Sequence, residues 1–182
     1  MDNKESTAAA AAQEEVSEWG NLLFDVRRSI RYHSKRAAYY RFWAKFATAI
    51  SLICGSGVVA TTIGESAEAS IALGATTAIA SIIVLVFGYP EKERLHEDLK
   101  RKFSELEIRM TKCESQSEKS LKDFTAERLR IEEDEPEVIS ALNTVCHNEL
   151  VTAQGCGKKG KIPKWREIFC QYNFPCFKPE LE

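Results

Sequence analysis

Two stretches of this chain carry no charged side chain, and they constrain its fold more than anything else in it. The first runs from Phe46 to Ile63 (FATAISLICGSGVVATTI) and the second from Ser70 to Tyr89 (SIALGATTAIASIIVLVFGY). A helix needs about 20 apolar residues to cross about 30 Å of hydrocarbon, and each stretch approaches that length. Helices of soluble proteins keep a polar face toward water, so a long uncharged run argues against a buried hairpin in a soluble core. Two runs in succession argue against it more strongly. The expectation is a transmembrane helical hairpin over residues 46–89.

Chain-wide averages hide this segregation. Over 182 residues, 44% hydrophobic content and a net charge of −2 would suit an ordinary soluble domain. The charge is instead placed on the flanks. Arg27, Arg28, Arg31, Lys35, Arg36, Arg41 and Lys45 precede the first span, and Lys92, Arg94, Lys100, Arg101 and Lys102 follow the second. The connection Gly64–Ala69 holds two acids and no base. Lys and Arg near span ends collect on the cytoplasmic side, so both termini are expected in the cytoplasm and the turn outside it. Tyr39, Tyr40, Trp43 and Tyr89 stand where an aromatic belt would meet the cytoplasmic headgroups. The expected location is a membrane crossed by two spans.

Each span carries a stripe of small residues: Ala47, Ser51, Gly55 and Thr62 in the first, and Ser70, Gly74, Ala78 and Ser81 in the second. Small residues let helix backbones approach closely in lipid, where the hydrophobic effect does not drive association. The stripes either pack the two spans together or line a weakly polar path between assembled hairpins. No Asp, Glu, Lys, Arg or His lies inside either span, which argues against a proton relay, a voltage sensor or a charged filter.

The flanks read as helices. Residues 1–15 are polar and acidic, with an alanine run but no basic-then-apolar order, and read as a disordered terminus rather than a signal peptide. Residues 16–45 form a basic amphipathic helix, in which Trp19, Leu22, Leu23, Val26, Ile30 and Tyr32 recur at helical spacing. It can lie on anionic lipid or pack on another helix. Residues 90–133 contain no Pro or Gly after Pro90, and Leu95, Leu99, Phe103, Leu106 and Met110 recur at spacings of three and four. That is a seam for a coiled-coil-like stalk, within the chain or between subunits of a homo-oligomer. Pro136 then ends the stalk and opens a helix expected from about Glu137 to Leu150, with Val138, Leu142, Val145 and Cys146 on its apolar face. The rest of the segment 134–182 is a tail that alternates bases (Lys158, Lys159, Lys161, Lys164, Arg166) with Trp165, Ile168, Phe169, Tyr172, Phe174 and Phe177, suited to a membrane interface more than to nucleic acid.

The six cysteines form no close pair, and Cys146, His147, Cys156, Cys170 and Cys176 match no structural zinc spacing, so reduced thiols are expected. His147 and Glu149 stand without a nucleophile–base set and read as surface or capping groups. No phosphate loop, metal cluster or catalytic constellation is present, so neither enzyme chemistry nor a cofactor is expected. The fold class is therefore an all-α membrane protein: a two-span hairpin, long flanking cytoplasmic helices and a short helical tail.

The order of these parts resembles a known family. A basic, aromatic helix (RYHSKRAAYYRFWAKF), two spans with a small acidic turn, a charged stalk and DEPEVISALNTVCHNEL together resemble the SLATT family of two-span membrane effectors associated with SMODS and SLOG domains. The resemblance covers roughly Val16 to Val151, and Asp134-Glu135-Pro136 with Cys146-His147-Asn148-Glu149 carries most of its specificity. It implies an effector of a prokaryotic anti-phage or anti-plasmid system. Such an effector assembles in the inner membrane and permeabilises it on a trigger from a sensor protein or a nucleotide second messenger. The alternative is a non-conducting anchor or scaffold that recruits a cytoplasmic partner through the stalk.

Overall fold

The computed structural model describes residues 2–64, 66–155 and 157–162, with side chains described from Glu18 onward. Among these residues every regular element is a helix: α1 Asp2–Ile63, α2 Ala67–Phe87, α3 Tyr89–Lys112, α4 Glu118–Glu132 and α5 Ser140–Gln154. α1 thus takes in most of the stretch read above as a disordered terminus, and its alanine run has the highest intrinsic helix propensity available. The chain divides into two compact units, one of Met1–Lys35 with Glu97–Glu182 and one of Arg36–His96.

The first unit is a helical bundle with its own apolar core. Trp19, Leu22 and Val26 of α1 meet Leu99, Phe103, Leu106 and Met110 of α3 and Ile131 of α4. These are the three-and-four-spaced positions of two amphipathic helices, buried face to face. Trp19 packs edge-on against Phe124, with ring centroids 5.6 Å apart. Around the core, Arg27 pairs with Glu107 at 2.7 Å and Arg128 with Asp25 at 2.8 Å. Lys102 with Asp134 and Arg109 with Glu127 fix α3 and α4 in antiparallel register. Part-exposed pairs of this kind set register more than they add stability.

The expected single stalk is interrupted. α3 stops at Lys112 and α4 begins at Glu118, with Ser117 as N-cap accepting from the Ser120 backbone N–H at 3.3 Å. Short polar side chains such as those of Ser115 and Ser117 compete for backbone groups and favour caps over helix interiors. α5 likewise starts at Ser140, later than Glu137. Glu135 precedes a proline and is biased toward extended backbone, and the Ile139 N–H donates to the Tyr32 hydroxyl at 2.9 Å instead of entering a helix. On α5 the buried residues are Ala141, Leu142, Val145, Cys146, Leu150 and Val151, while Val138 is exposed.

The second unit is a helical hairpin. Beyond Ile63 the chain reverses, with Gly64 N–H bonded to Ala60 O and Ser66 N–H to Thr61 O, and returns as α2. Gly88 closes α2 in the left-handed conformation (φ 58°), as a glycine without a Cβ readily does. α3 then restarts with Pro90 in its first turn, where a missing N–H costs nothing.

Candidate functional site

The hairpin buries almost nothing. Between residues 46 and 89 only Ala47 and Ala80 are buried among the described residues. Leu85 is 82% exposed and Ile63 79%, and Leu52, Ile53, Ile71 and Val86 are also largely exposed. α1 and α2 each contain an apolar segment long enough to cross a membrane, and neither is covered by the rest of the structure. A continuous apolar surface of this extent needs an apolar surrounding or a partner.

The two helices touch at several places. A Cβ added to Gly57 would lie 2.9 Å from Leu73 Cδ1, so a larger residue there would require the Leu73 side chain to shift. One turn further, Thr61 and Ser70 share a hydrogen bond at 2.7 Å, and Thr62 reaches Ser70 at 3.2 Å. Of the expected small-residue stripes, Ala47 is buried and Ser51 and Ser70 are half-buried, whereas Thr62, Ala78 and Ser81 are exposed. Gly55 and Gly74 are half-buried, but a Cβ on either would touch nothing within 4 Å. The stripe residues therefore divide into contact residues and residues that stay open. Gly57 and Thr61 were the missed pair, and their i, i+4 spacing beside Gly55 was the available signal.

Thr48, Ser51 and Ala47 face Ser81, Leu85 and Glu91 across a lateral cleft of about 500 Å³. Thr48, Ser56, Thr62, Thr76 and Ser81 each donate to a carbonyl one turn earlier in their own helix. The hydroxyls thus satisfy their protons locally, which is how polar side chains are tolerated in apolar surroundings. The strip they leave outward is weakly polar and uncharged.

At the base of the hairpin the expected belt residues gather into a collar. Ring centroids are 5.4 Å apart for Tyr39 and Tyr40, 6.2 Å for Tyr39 and Trp43, and 6.2 Å for Tyr40 and Tyr89. His96, buried, stacks on Tyr40.

In the first unit, side chains of α1 reach the segment 135–149. His33, 1% exposed, donates from Nε2 to Glu135 at 3.0 Å and stacks on Phe103. Lys35 pairs with Glu149 at 2.8 Å, and Tyr32 packs with Leu142 and Cys146. The Cys146 thiol is pushed up to about 12, chiefly by burial, which favours the protonated thiol. His147 donates to the Lys158 carbonyl at 3.0 Å, and Asn148 makes two hydrogen bonds with the Gly160 backbone, so residues 157–162 return along α5. Cys156, Cys170, Cys176, Lys164, Arg166 and the tail aromatics lie outside the described residues. Leu99, Phe103, Leu106 and Met110 of the expected oligomer seam are consumed in the chain's own core, and Leu95 is 38% exposed. A groove of about 610 Å³ between α3 and α4 is lined by Lys102, Arg109, Arg130, Glu105, Asp123 and Glu127, whose charges cancel and select no ligand by sign.

Compared with family models, with curated proteins and with solved structures, the chain matches none.

Proposed function

We propose that this chain is a membrane-embedded effector of a prokaryotic conflict system, similar to the SLATT family, that assembles through its hairpin and permeabilises the inner membrane on a trigger. One observation carries the reading: among the described residues the hairpin leaves its large apolar residues and the small residues Ala78 and Ser81 exposed, and a Cβ added at the half-buried Gly55 or Gly74 would meet nothing within 4 Å. Lipid accounts for the large residues. Close helix contacts between copies account for the small ones, because small residues gain little from facing lipid chains. With four of the five seam residues already buried within the chain, assembly falls to the spans. The basic flanks support an orientation with both termini in the cytoplasm and the turn on the far side.

The test is induced expression with the native neighbouring genes present, read by membrane potential and by propidium entry under phage challenge. Depolarisation with the protein confirmed in the membrane is the expected result. A Cys at Ser66 should react with an impermeant maleimide in intact cells, and a Cys at Ser117 should not. Sustained potential at confirmed membrane abundance would favour the second reading, a non-conducting anchor. That reading draws support from the self-contained bundle of the first unit, which offers a recruitment platform needing no conduction.

A further inference from the structure

The collar at the base of the hairpin holds a charge arrangement that no ion pair among the described residues neutralises. The Arg36 guanidinium carbon lies 4.7 Å from the Tyr40 ring centroid and 5.8 Å from that of Tyr39, while Lys92 Nζ lies 5.9 Å from the Tyr40 centroid. Two cations converge on one ring. Arg36 also donates from Nη2 to the Tyr40 hydroxyl, but its Nε is buried with no hydrogen-bond partner among the described residues. A buried N–H left unmade on a charged group is costly, and two like charges around one ring repel. The nearby carboxylates do not relieve this. Glu93 is engaged by Arg41 at 2.7 Å, and Glu91 lines the cleft with Ser81 and Pro90 and makes no ion pair among the described residues. Lys45 and Arg94, on the same unit, are exposed and also lack an ion pair there.

The geometry points to a binding site for an anionic phospholipid headgroup, held by Arg36 and Lys92 at the rim of the collar beside the half-buried Tyr39; this rests on the membrane placement proposed above. A phosphodiester supplies what both cations lack: charge, and acceptor oxygens. The surroundings separate a lipid from a free anion. Phe42 is 60% exposed, and Phe46 and Phe87 are about half exposed, all within one or two turns toward the apolar segments. A free phosphate gains nothing from those rings, whereas a lipid carries acyl chains that cover them. The depth also fits. With about 20 residues of α1 ending at Ile63 in hydrocarbon, Tyr40 lies about 6 Å outside it, in the headgroup layer.

The experiment uses the full chain, purified in mild detergent and incorporated into nanodiscs of phosphatidylcholine containing either no phosphatidylglycerol or about one third of it. Retained lipids are then counted by native mass spectrometry. We expect phosphatidylglycerol to be retained in preference to phosphatidylcholine by the wild type. The double variant Arg36→Gln/Lys92→Gln should lose that preference by about 25-fold, or about fivefold per cation near a lipid surface. The charge-keeping variant Arg36→Lys/Lys92→Arg should keep most of it. Lys100→Gln/Lys119→Gln, which removes two cations from the other unit, should leave it unchanged, and far-UV helicity should be equal across the set. Equal retention of the two lipids by wild type, or an unchanged preference in the double variant, overturns the assignment. So does displacement of the lipid by about 10 mM inorganic phosphate, which would make the site a free-anion site. Carbonate extraction of whole membranes separates the two readings: a chain that washes off refutes the membrane placement, and one that stays without lipid preference refutes only this site.

Discussion

The two units of this chain use the same helical pattern to opposite ends. In Met1–Lys35 with Glu97–Glu182, a stripe of apolar residues on each helix is matched by charge on the other face, so the stripes bury one another and water takes the rest. In Arg36–His96 the apolar residues run around the whole helix, and a single partner helix can cover only one side of each. The first unit is complete as it stands; the second is complete only in an apolar surrounding or an assembly. Whether a buried residue stabilises the chain or an exposed one recruits something else follows from that difference, and each can be tested.

Phe103→Ala should have the largest effect. The ring is fully buried, stacks on His33 and sits centrally among Leu99, Leu106 and Trp19. Removing a buried aromatic from a core costs about 3–5 kcal/mol, enough to abolish the cooperative urea transition of a marginal bundle. Aspartate at Leu99 or Met110 should act similarly. If such changes dissociated an oligomer while leaving helicity and protease resistance intact, the core assigned to the first unit would instead lie between chains.

Gly57→Leu should be next. Its side chain would enter the space of Leu73, and overpacking of this kind costs about 1–3 kcal/mol. A disulfide between cysteines placed at Thr61 and Ser70, which now touch, should form readily in the otherwise wild-type chain and several-fold more slowly with Leu at 57. Equal rates would mean that the hairpin closes elsewhere.

These two predictions mark what was legible in the sequence. Leu99, Phe103, Leu106 and Met110 announced a buried face by their spacing, but spacing cannot say whether the facing helix belongs to the same chain. The structure supplies Trp19, Leu22 and Val26 as that partner. The two long apolar helices were legible because a helix that meets water on any face rarely runs to such a length without a charge. Their contact point was not, because Gly55 and Gly57 are equally small and only the rotation of α1 about its axis decides which one meets Leu73. The break at residues 113–117 escaped notice because no Gly or Pro marks it; the serine cap acts through a single side-chain bond. The start of α5 escaped because the Tyr32 hydroxyl, distant in sequence, captures the Ile139 N–H.

Cys146 gives a gentler test of the first unit. Its thiol is raised from 9.0 to about 12 by burial, so the folded chain keeps the proton where the unfolded chain loses it. Stability from this group is therefore fully present below pH 9 and declines as pH rises from about 9 toward 12. An excess of maleimide at pH 8 should modify Cys146 only after denaturation, while Cys113, half-buried at the end of α3, should react in the folded chain. Rapid native labelling of Cys146 would show that α5 opens from the bundle.

The smallest expected effect on the chain itself is the most discriminating for function. Gly55→Leu places a Cβ where nothing lies within 4 Å among the described residues, on a helix in which leucine is a better former than glycine. The hairpin should close as before, with the Thr61–Ser70 disulfide forming at the wild-type rate and membrane abundance unchanged, since leucine favours insertion. Leu85→Ala, at an 82% exposed position, serves as a control in which neither closure nor a small-residue contact changes. What Gly55→Leu should alter is the approach of a second copy, because a leucine there holds apart backbones that would otherwise meet through Gly55 and Gly74. Under phage challenge, depolarisation should fall with Leu at 55 and persist with Ala at 85. If both variants depolarise like wild type, the open glycines are spare surface and assembly must use another face. If Gly55→Leu instead slows the disulfide as Gly57→Leu does, the contact between α1 and α2 has been placed on the wrong side of the helix.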